Sequence, residues 1–332
     1  MAVQRLLWVD RTTGTATTRD DAEIPSLLAD PSGWLWLDVP EPDEQTAALL
    51  RDVFQAHPAA VADVVERNHV PRLHVYGKTL FLVLHRPQAN PSGHVHYLEL
   101  DQFVAPNYLI TTHGPRNLEV PLEMLLEETD ELADRMLSGR RVPADPWAAS
   151  HRIVGALAIA EERYVNRLAR EVGELEKQVM AHTGDAKPQE FLEDLFHTRH
   201  ALLTVHTMTS QSAEIYGRAL RLLGEDRTIH GLLRDTKDAY DRLSRITSSQ
   251  LDYLTGVTEY YRARTDTKMT IAAERLAVIA AITLPVTAIS SILGMNVIVS
   301  EATNWPWLIV LLVMMLVLSL VLLRWARRQG WW

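Results

Sequence analysis

Apolar and polar positions follow a mixed pattern over the first third of the chain and then change period. Trp34-Leu35-Trp36-Leu37 reads as strand and Asp43 to Phe54 as an amphipathic helix. Thr79 to His85, His94 to Val104 and Tyr108 to Thr112 read as further strands, separated by turn signals at Asn90-Pro91-Ser92-Gly93 and Pro106-Asn107. The pattern predicts an α/β domain with a small sheet over residues 1–118. From about Val120 strand signals vanish, and Ala148 to His182, Pro188 to Leu223 and His230 onward read as long helices. Thr183-Gly184-Asp185 and Gly224-Glu225-Asp226 separate them. Nothing breaks the last: between Gly231 and Leu293 its only Pro is Pro285 and its only glycine is Gly256. A single helix of about 60 residues, on the order of 90 Å long, is expected there, and a helix of that length needs neighbours to be stable.

Within its C-terminal part the periodic pattern gives way to continuous apolarity. Ile271 to Leu293 is charged only at Glu274 and Arg275, and its roughly 20 residues are enough to cross the hydrocarbon of a bilayer. Trp305 to Leu323 is more uniformly apolar, with Trp305 and Trp307 at its start and Arg324, Arg327 and Arg328 after its end. The connection between the spans contains Glu301 and no Lys or Arg, whereas Arg262, Arg264 and Lys268 precede the first span. The positive-inside rule then puts both termini in the cytoplasm and the turn outside. The expected order is a cytoplasmic α/β domain (1–118), a helical region packing on a stalk (119–229), a long stalk helix continuing into the first span (230–293), an external loop (294–304), a second span (305–323) and a basic tail (324–332).

Composition narrows the function. A formal net charge of -9 argues against a nucleic-acid scaffold and suits a surface that handles cations. Zero cysteines exclude disulfides and thiolate metal sites. The start, MAVQRLLWVDRTTG, meets polar residues too soon for a signal peptide. No nucleophile motif, phosphate loop or paired-carboxylate signature stands out, so catalysis is not expected. Thirteen histidines invite a zinc reading: His94 and His96 share a strand face, and His197 and His200 a helix face, with Glu193 before His197. Neither pair has a third ligand at a recognised spacing, so solvated or packed histidines are expected.

Along the first span a stripe at spacings of three and four picks out Thr270, Ala273, Leu276, Ala280, Leu284, Thr287 and Ser291. Mostly small residues of this kind line pores and also form packed helix contacts, and the sequence leaves both open. The span ends in Gly294-Met295-Asn296, a triplet that alone would be an ordinary turn.

The triplet's position, after one span near the C-terminus and before a short loop and a second span, resembles the CorA family of divalent-cation transporters. Other stretches of the chain are similar too: Trp36-Leu37-Asp38, His57-Pro58 with Ala62-Asp63-Val64, Pro71-Arg72 before Leu80-Phe81-Leu82-Val83-Leu84, and Asn107 to Thr111. Gly173 to Glu176 and Leu233-Arg234-Asp235 with Asp238 resemble the family's stalk helices. The resemblance implies a funnel-shaped homopentamer in the cell membrane that carries Mg²⁺, or a broader or zinc specificity of the ZntB type, with no organic cofactor. It implies that Gly294, Met295 and Asn296 form the ion filter, that the stripe lines the pore, and that Leu276 and Leu284 are apolar constrictions. It also implies a regulatory Mg²⁺ bound by Asp235 and Asp238 with a carboxylate of a neighbouring subunit, for which Asp101 or Glu99 is the expectation. The chain departs from the family pattern at Thr270 and Ala273-Glu274, where Asn and Met-Lys are common, so the entrance chemistry differs there. A membrane anchor without transport is the rival from another class.

Overall fold

The computed structural model describes residues 5–89, 95–115, 117–181, 188–223, 226–294 and 305–328. Two compact units divide them, Met1–Thr255 and Gly256–Trp332.

The first unit is built on a seven-stranded sheet of β1 (Arg5–Asp10), β2 (Thr15–Thr18), β3 (Gly33–Val39), β4 (Arg72–Tyr76), β5 (Thr79–Ala89), β6 (Val95–Val104) and β7 (Tyr108–Thr112), in the order β2-β1-β3-β7-β6-β5-β4. Only the β3–β7 pair is parallel, with Leu35 opposite Tyr108 and Val39 opposite Thr112. The pleat sends alternate residues to opposite faces, and both faces are covered. Leu35, Leu37 and Val39 pack with Phe81, Val83 and Phe103 against α1 (Ile24–Ala29), α2 (Glu44–Asp52) and α3 (Pro58–Val65). Trp34 and Trp36, with Leu80, Leu82 and Leu84, face the other way. There they meet Leu132 and Met136 of α5 (Glu127–Leu137, preceded by the short α4, Leu122–Leu125), Ile153 and Leu157 of α6 (Pro146–Met180), Tyr216 of α7 (Pro188–Leu222) and Tyr240 of α8 (Arg227–Gly294). Gly33 lets β3 lie close to β1, since a Cβ there would meet the Trp8 ring and the Val9 carbonyl oxygen at 2.4 Å.

The helix starts are encoded locally. Asp43 accepts from Thr46 N at 2.9 Å to cap α2, and Asp145 accepts from Ala148 N at 2.8 Å to cap α6, which begins two residues before its apolar pattern does. The small sheet expected from sequence is larger, because β1, β2 and β4 join it. Helices α5 to α7 and the first part of α8 bury the second face of the sheet, so the strands and these helices share one core.

The second unit holds the rest of α8 and α9 (Trp305–Arg328). Their apolar windows have mean hydropathy of 1.8 and 2.9, and only 6% and 0% of those windows are buried, so the protomer itself covers almost none of this apolar surface. Lipid is the environment that suits such helices.

Candidate ion pathway and metal-binding residues

Beyond Gly256, α8 turns about 100° per residue, so its two faces can be read from burial. From Ile271 to Ile292 the less exposed positions are Val278, Ile282, Pro285, Val286 and Ile289, with Val278 at 1%. The matching seam on α9 is Leu311, Met315, Leu318, Leu322 and Ala326, and Ser290 Oγ lies 3.9 Å from Met315 Sδ across the hairpin. Thr270, Ala273, Leu276, Ala280, Leu284, Thr287 and Ser291 all lie on the opposite side of α8 and are all exposed, Leu276 and Leu284 at 67%. The small-residue stripe is therefore not the α8–α9 contact, which is one of the two roles the sequence left open.

The stripe's hydroxyls are oriented by the helix. Thr270 Oγ1 donates to the Asp266 carbonyl at 3.0 Å and Thr287 Oγ1 to the Thr283 carbonyl at 2.8 Å. A threonine that has spent its only proton on the backbone presents two lone pairs outward as an acceptor. Pro285 lacks an N–H and so frees a carbonyl one turn earlier. Gly294 closes α8 and is exposed, and a Cβ on it would meet nothing within 4 Å. Met295, Asn296 and Glu301 lie outside the described residues.

The regulatory residues read from sequence separate in the structure. Asp235 and Asp238 are exposed on α8, and Arg234 Nε approaches Asp238 Oδ2 only to 4.0 Å, an ion pair of little energetic weight at this exposure. Glu99 and Asp101 are 6% and 0% exposed. Glu99 accepts from Asn68 N at 2.9 Å and from Asn68 Nδ2 at 2.8 Å, and Asp101 Oδ2 accepts from Thr112 Oγ1 at 3.2 Å. Burial pushes the Glu99 carboxyl up, and burial with the Glu99 charge pushes Asp101 well above the usual carboxylate range. Both carboxyls are thus buried and hydrogen-bonded within the protomer, whereas Asp235 and Asp238 are exposed. The same network holds His85, whose Nε2 donates to the Asn68 carbonyl at 2.8 Å and whose pKa burial lowers to about 4.

A second buried network was not anticipated from sequence. Asp38 Oδ1 accepts from Thr111 Oγ1 at 2.5 Å and from His113 Nε2 at 3.1 Å, and Trp36 Nε1 donates to Thr111 Oγ1 at 3.0 Å. Its signal was present in Trp36 and Asp38, two residues apart and hence on one strand face.

His94 lies outside the described residues, while His96 Nε2 is 3.5 Å from Glu119 Oε2. His200 stacks on Phe196 and His197 meets its edge. Among the described residues no three His, Asp or Glu side chains are grouped to hold a metal ion within one protomer.

Comparison with known proteins places this arrangement. Residues 31–328 match the family model described as CorA-like Mg2+ transporter protein. A curated relative from Bacillus subtilis (strain 168), "Putative metal ion transporter YfjQ", is 24% identical over 308 residues, covering 90% of each chain. Among solved structures, the CorA magnesium transporter of Methanocaldococcus jannaschii matches with a TM-score of 0.78 at 15% identity over 100% of this chain and 99% of its own. Full-length CmaX matches at 0.76 and 17% identity over 97% of both chains. The ZntB cytoplasmic domain of Vibrio parahaemolyticus matches at 0.61 and 13% identity, covering 79% of this chain and 98% of that one. Two apolar C-terminal helices, a mixed-sheet domain with long helices, and a family match over nearly the whole length lead to one conclusion: the chain belongs to the CorA-like family of divalent metal ion transporters, which are membrane-bound and are not enzymes.

Proposed function

We propose that the protein is a channel-like Mg²⁺ transporter whose α8 helices, one from each subunit of a homopentamer, line a central pore, with α9 outside them and both termini in the cytoplasm. The observation that carries the reading is the disposition of α8: its α9-facing side is apolar and partly buried, while Thr270, Thr287 and Ser291 stand on the far side among small residues. Two helices per chain cannot enclose a pore, so the free face requires further copies. Mg²⁺ gives up water reluctantly, and outward-facing threonine oxygens accept hydrogen bonds from its hydration shell without stripping it. Gly294, Met295 and Asn296 form the outer filter, with the Asn296 amide as a neutral acceptor repeated around the ring. Leu276 and Leu284 form apolar rings that close the pore by dewetting.

An inward-negative potential drives uptake, at about 2.3 kcal/mol per charge per 100 mV, doubled for a divalent ion. Asp235 and Asp238 face solvent, where a regulatory Mg²⁺ can be shared with a surface carboxylate of the neighbouring subunit. Such an ion gates only if it binds the closed state more tightly than the open one.

The test is a liposome uptake assay with Mg²⁺, Co²⁺, Ni²⁺ and Zn²⁺ in competition, on the native protein and Asn296→Ala. Mg²⁺-selective flux that Asn296→Ala abolishes in an assembled oligomer is expected. Flux at background would reduce the protein to an anchor, preferential Zn²⁺ flux would overturn the Mg²⁺ assignment, and undiminished flux in Asn296→Ala would remove the filter.

A further inference from the structure

A groove between α5 and α6 concentrates positive charge in a chain whose formal net charge is -9. Arg135 and Arg141 reach it from α5 and the turn that follows, Arg152 and Arg163 from α6. Arg135 pairs with Glu131 at 2.5 Å, and Arg163 approaches Glu127 at 3.6 Å. Among the described residues Arg141 and Arg152 have no ion-pair partner. The remaining carboxylate on the wall, Glu128, is held by Arg86 Nε at 3.1 Å. The Arg152 guanidinium is pulled below its usual range, first by burial and then by the charges of Arg141 and Arg135. Arg141 is also held at φ 54°, a left-handed conformation that costs a non-glycine residue of order 1 kcal/mol or more. His151, at the same groove, is biased to its neutral form by burial and adds no charge.

Space and lining complete the site. The groove measures about 470 Å³, which is within the range of small-molecule sites. Leu132, Ala156 and Ile159 supply apolar wall, with Ile159 at 58% exposure. Gly155 leaves a gap beside them, since a Cβ there would meet nothing within 4 Å. We propose that this groove is a binding site for a small organic polyphosphate of the nucleotide class, its phosphates held by Arg141 and Arg152 and its apolar part lying against Leu132 and Ile159. Guanidinium groups suit phosphate because their planar fork donates two parallel hydrogen bonds. The site is separate from the ion pathway and does not rest on the transport reading.

Equilibrium dialysis of the full-length protein in detergent, metal-free and at low salt, tests this with radiolabelled ATP as the probe and inorganic tripolyphosphate as competitor. Saturable ATP binding that weakens with rising salt is expected. Arg152→Gln and Arg141→Gln should each weaken it about tenfold, with Arg152→Lys recovering part of the loss. Gly155→Met should block the groove with an unchanged thermal midpoint, since the added side chain enters open space. Tripolyphosphate should compete at least about tenfold more weakly than ATP itself. Equal competition would overturn the organic part of the assignment. Absence of saturable binding to the native protein, or binding unchanged in both Arg152→Gln and Gly155→Met, would overturn the site.

Discussion

Replacing Glu161 by Gln should make the protein progressively more stable than the native chain as the pH rises. Glu161 lies on α6 in the core, 1% exposed, and neither carboxyl oxygen has a hydrogen-bond partner; the Tyr240 hydroxyl in the same core has none either. Burial pushes its carboxyl well above the ordinary 4.5, the Glu128 charge adds to this, and Arg86 offsets part of it. The folded state therefore holds a proton that the unfolded state has released, and the sign follows: between the two pKa values the native state binds more protons, so stability falls as pH rises. Stability from this group is complete below the unfolded pKa and is lost upward from it. The loss is tenfold in the folding constant per pH unit, about 1.4 kcal/mol, until the folded pKa is passed. For a unit the size of Met1–Thr255, the step from pH 5 to pH 6 should move the thermal midpoint by about 2–4 °C relative to Glu161→Gln, which has no such titration. Tryptophan fluorescence is a suitable readout, because Trp34 and Trp36 are 0% exposed in the core that Glu161 adjoins. Glu99 and Asp101 tilt both curves alike, whereas Glu128 interacts with Glu161, so the difference between the curves reports Glu161 together with its effect on Glu128. A difference constant from pH 5 to pH 8 would refute the reasoning and mean that the Glu161 carboxylate is ionised and paired in the folded protein.

Three further outcomes are expected. Leu276→Ser, at a side chain 67% exposed in the protomer, should raise liposome leak severalfold at high internal Mg²⁺; unchanged flux and unchanged Mg²⁺ inhibition would make Leu276 a packing residue. Thr287→Val keeps the shape and removes the outward oxygen, so Mg²⁺ flux should fall about tenfold at an unaltered thermal midpoint, with full flux ruling out a water-mediated contact there. Mg²⁺ should protect α8 from protease in the native protein and not in Asp235→Ala; equal protection in both would move the sensor away from Asp235.

The spans and long helices were legible because their signals are long: continuous apolarity in α9, and in α8 a helix of 68 residues whose single proline is Pro285. The strands of the central sheet were legible where apolar residues dominate, as in Thr79–Ala89. What escaped had a local pattern that tertiary context overrides. Strand β4, Arg72–Tyr76, sits at a sheet edge and is only partly buried, so its alternation is weak. Helix α5 is acidic over its first turn, with Glu127, Glu128 and Asp130, which masks an apolar face of Leu132, Ala133 and Met136. Glu99 and Asp101 alternate with Leu98 and Leu100, which in an isolated strand means solvent. Their burial depends on α3 and Asn68 covering the second face of the sheet, a fact of packing that no strand carries in its own sequence. The faces of α8 needed the partner helix: the stripe was visible, and only the seam from Leu311 to Ala326 tells which side α9 takes.

Helix α8 carries Tyr240, which packs into the core of the first unit, and Gly294, which ends the first span, on one uninterrupted backbone of 68 residues. An α-helix resists stretching because every turn is closed by hydrogen bonds along its axis. Lengthening would break those bonds, so along its own axis α8 is far stiffer than a loop of the same number of residues. Gly256 falls where the two units meet, and it is the weakest helix former between Gly231 and Pro285. The same helix therefore begins inside a packed core and ends as an apolar span, with its softest position at the boundary between the two.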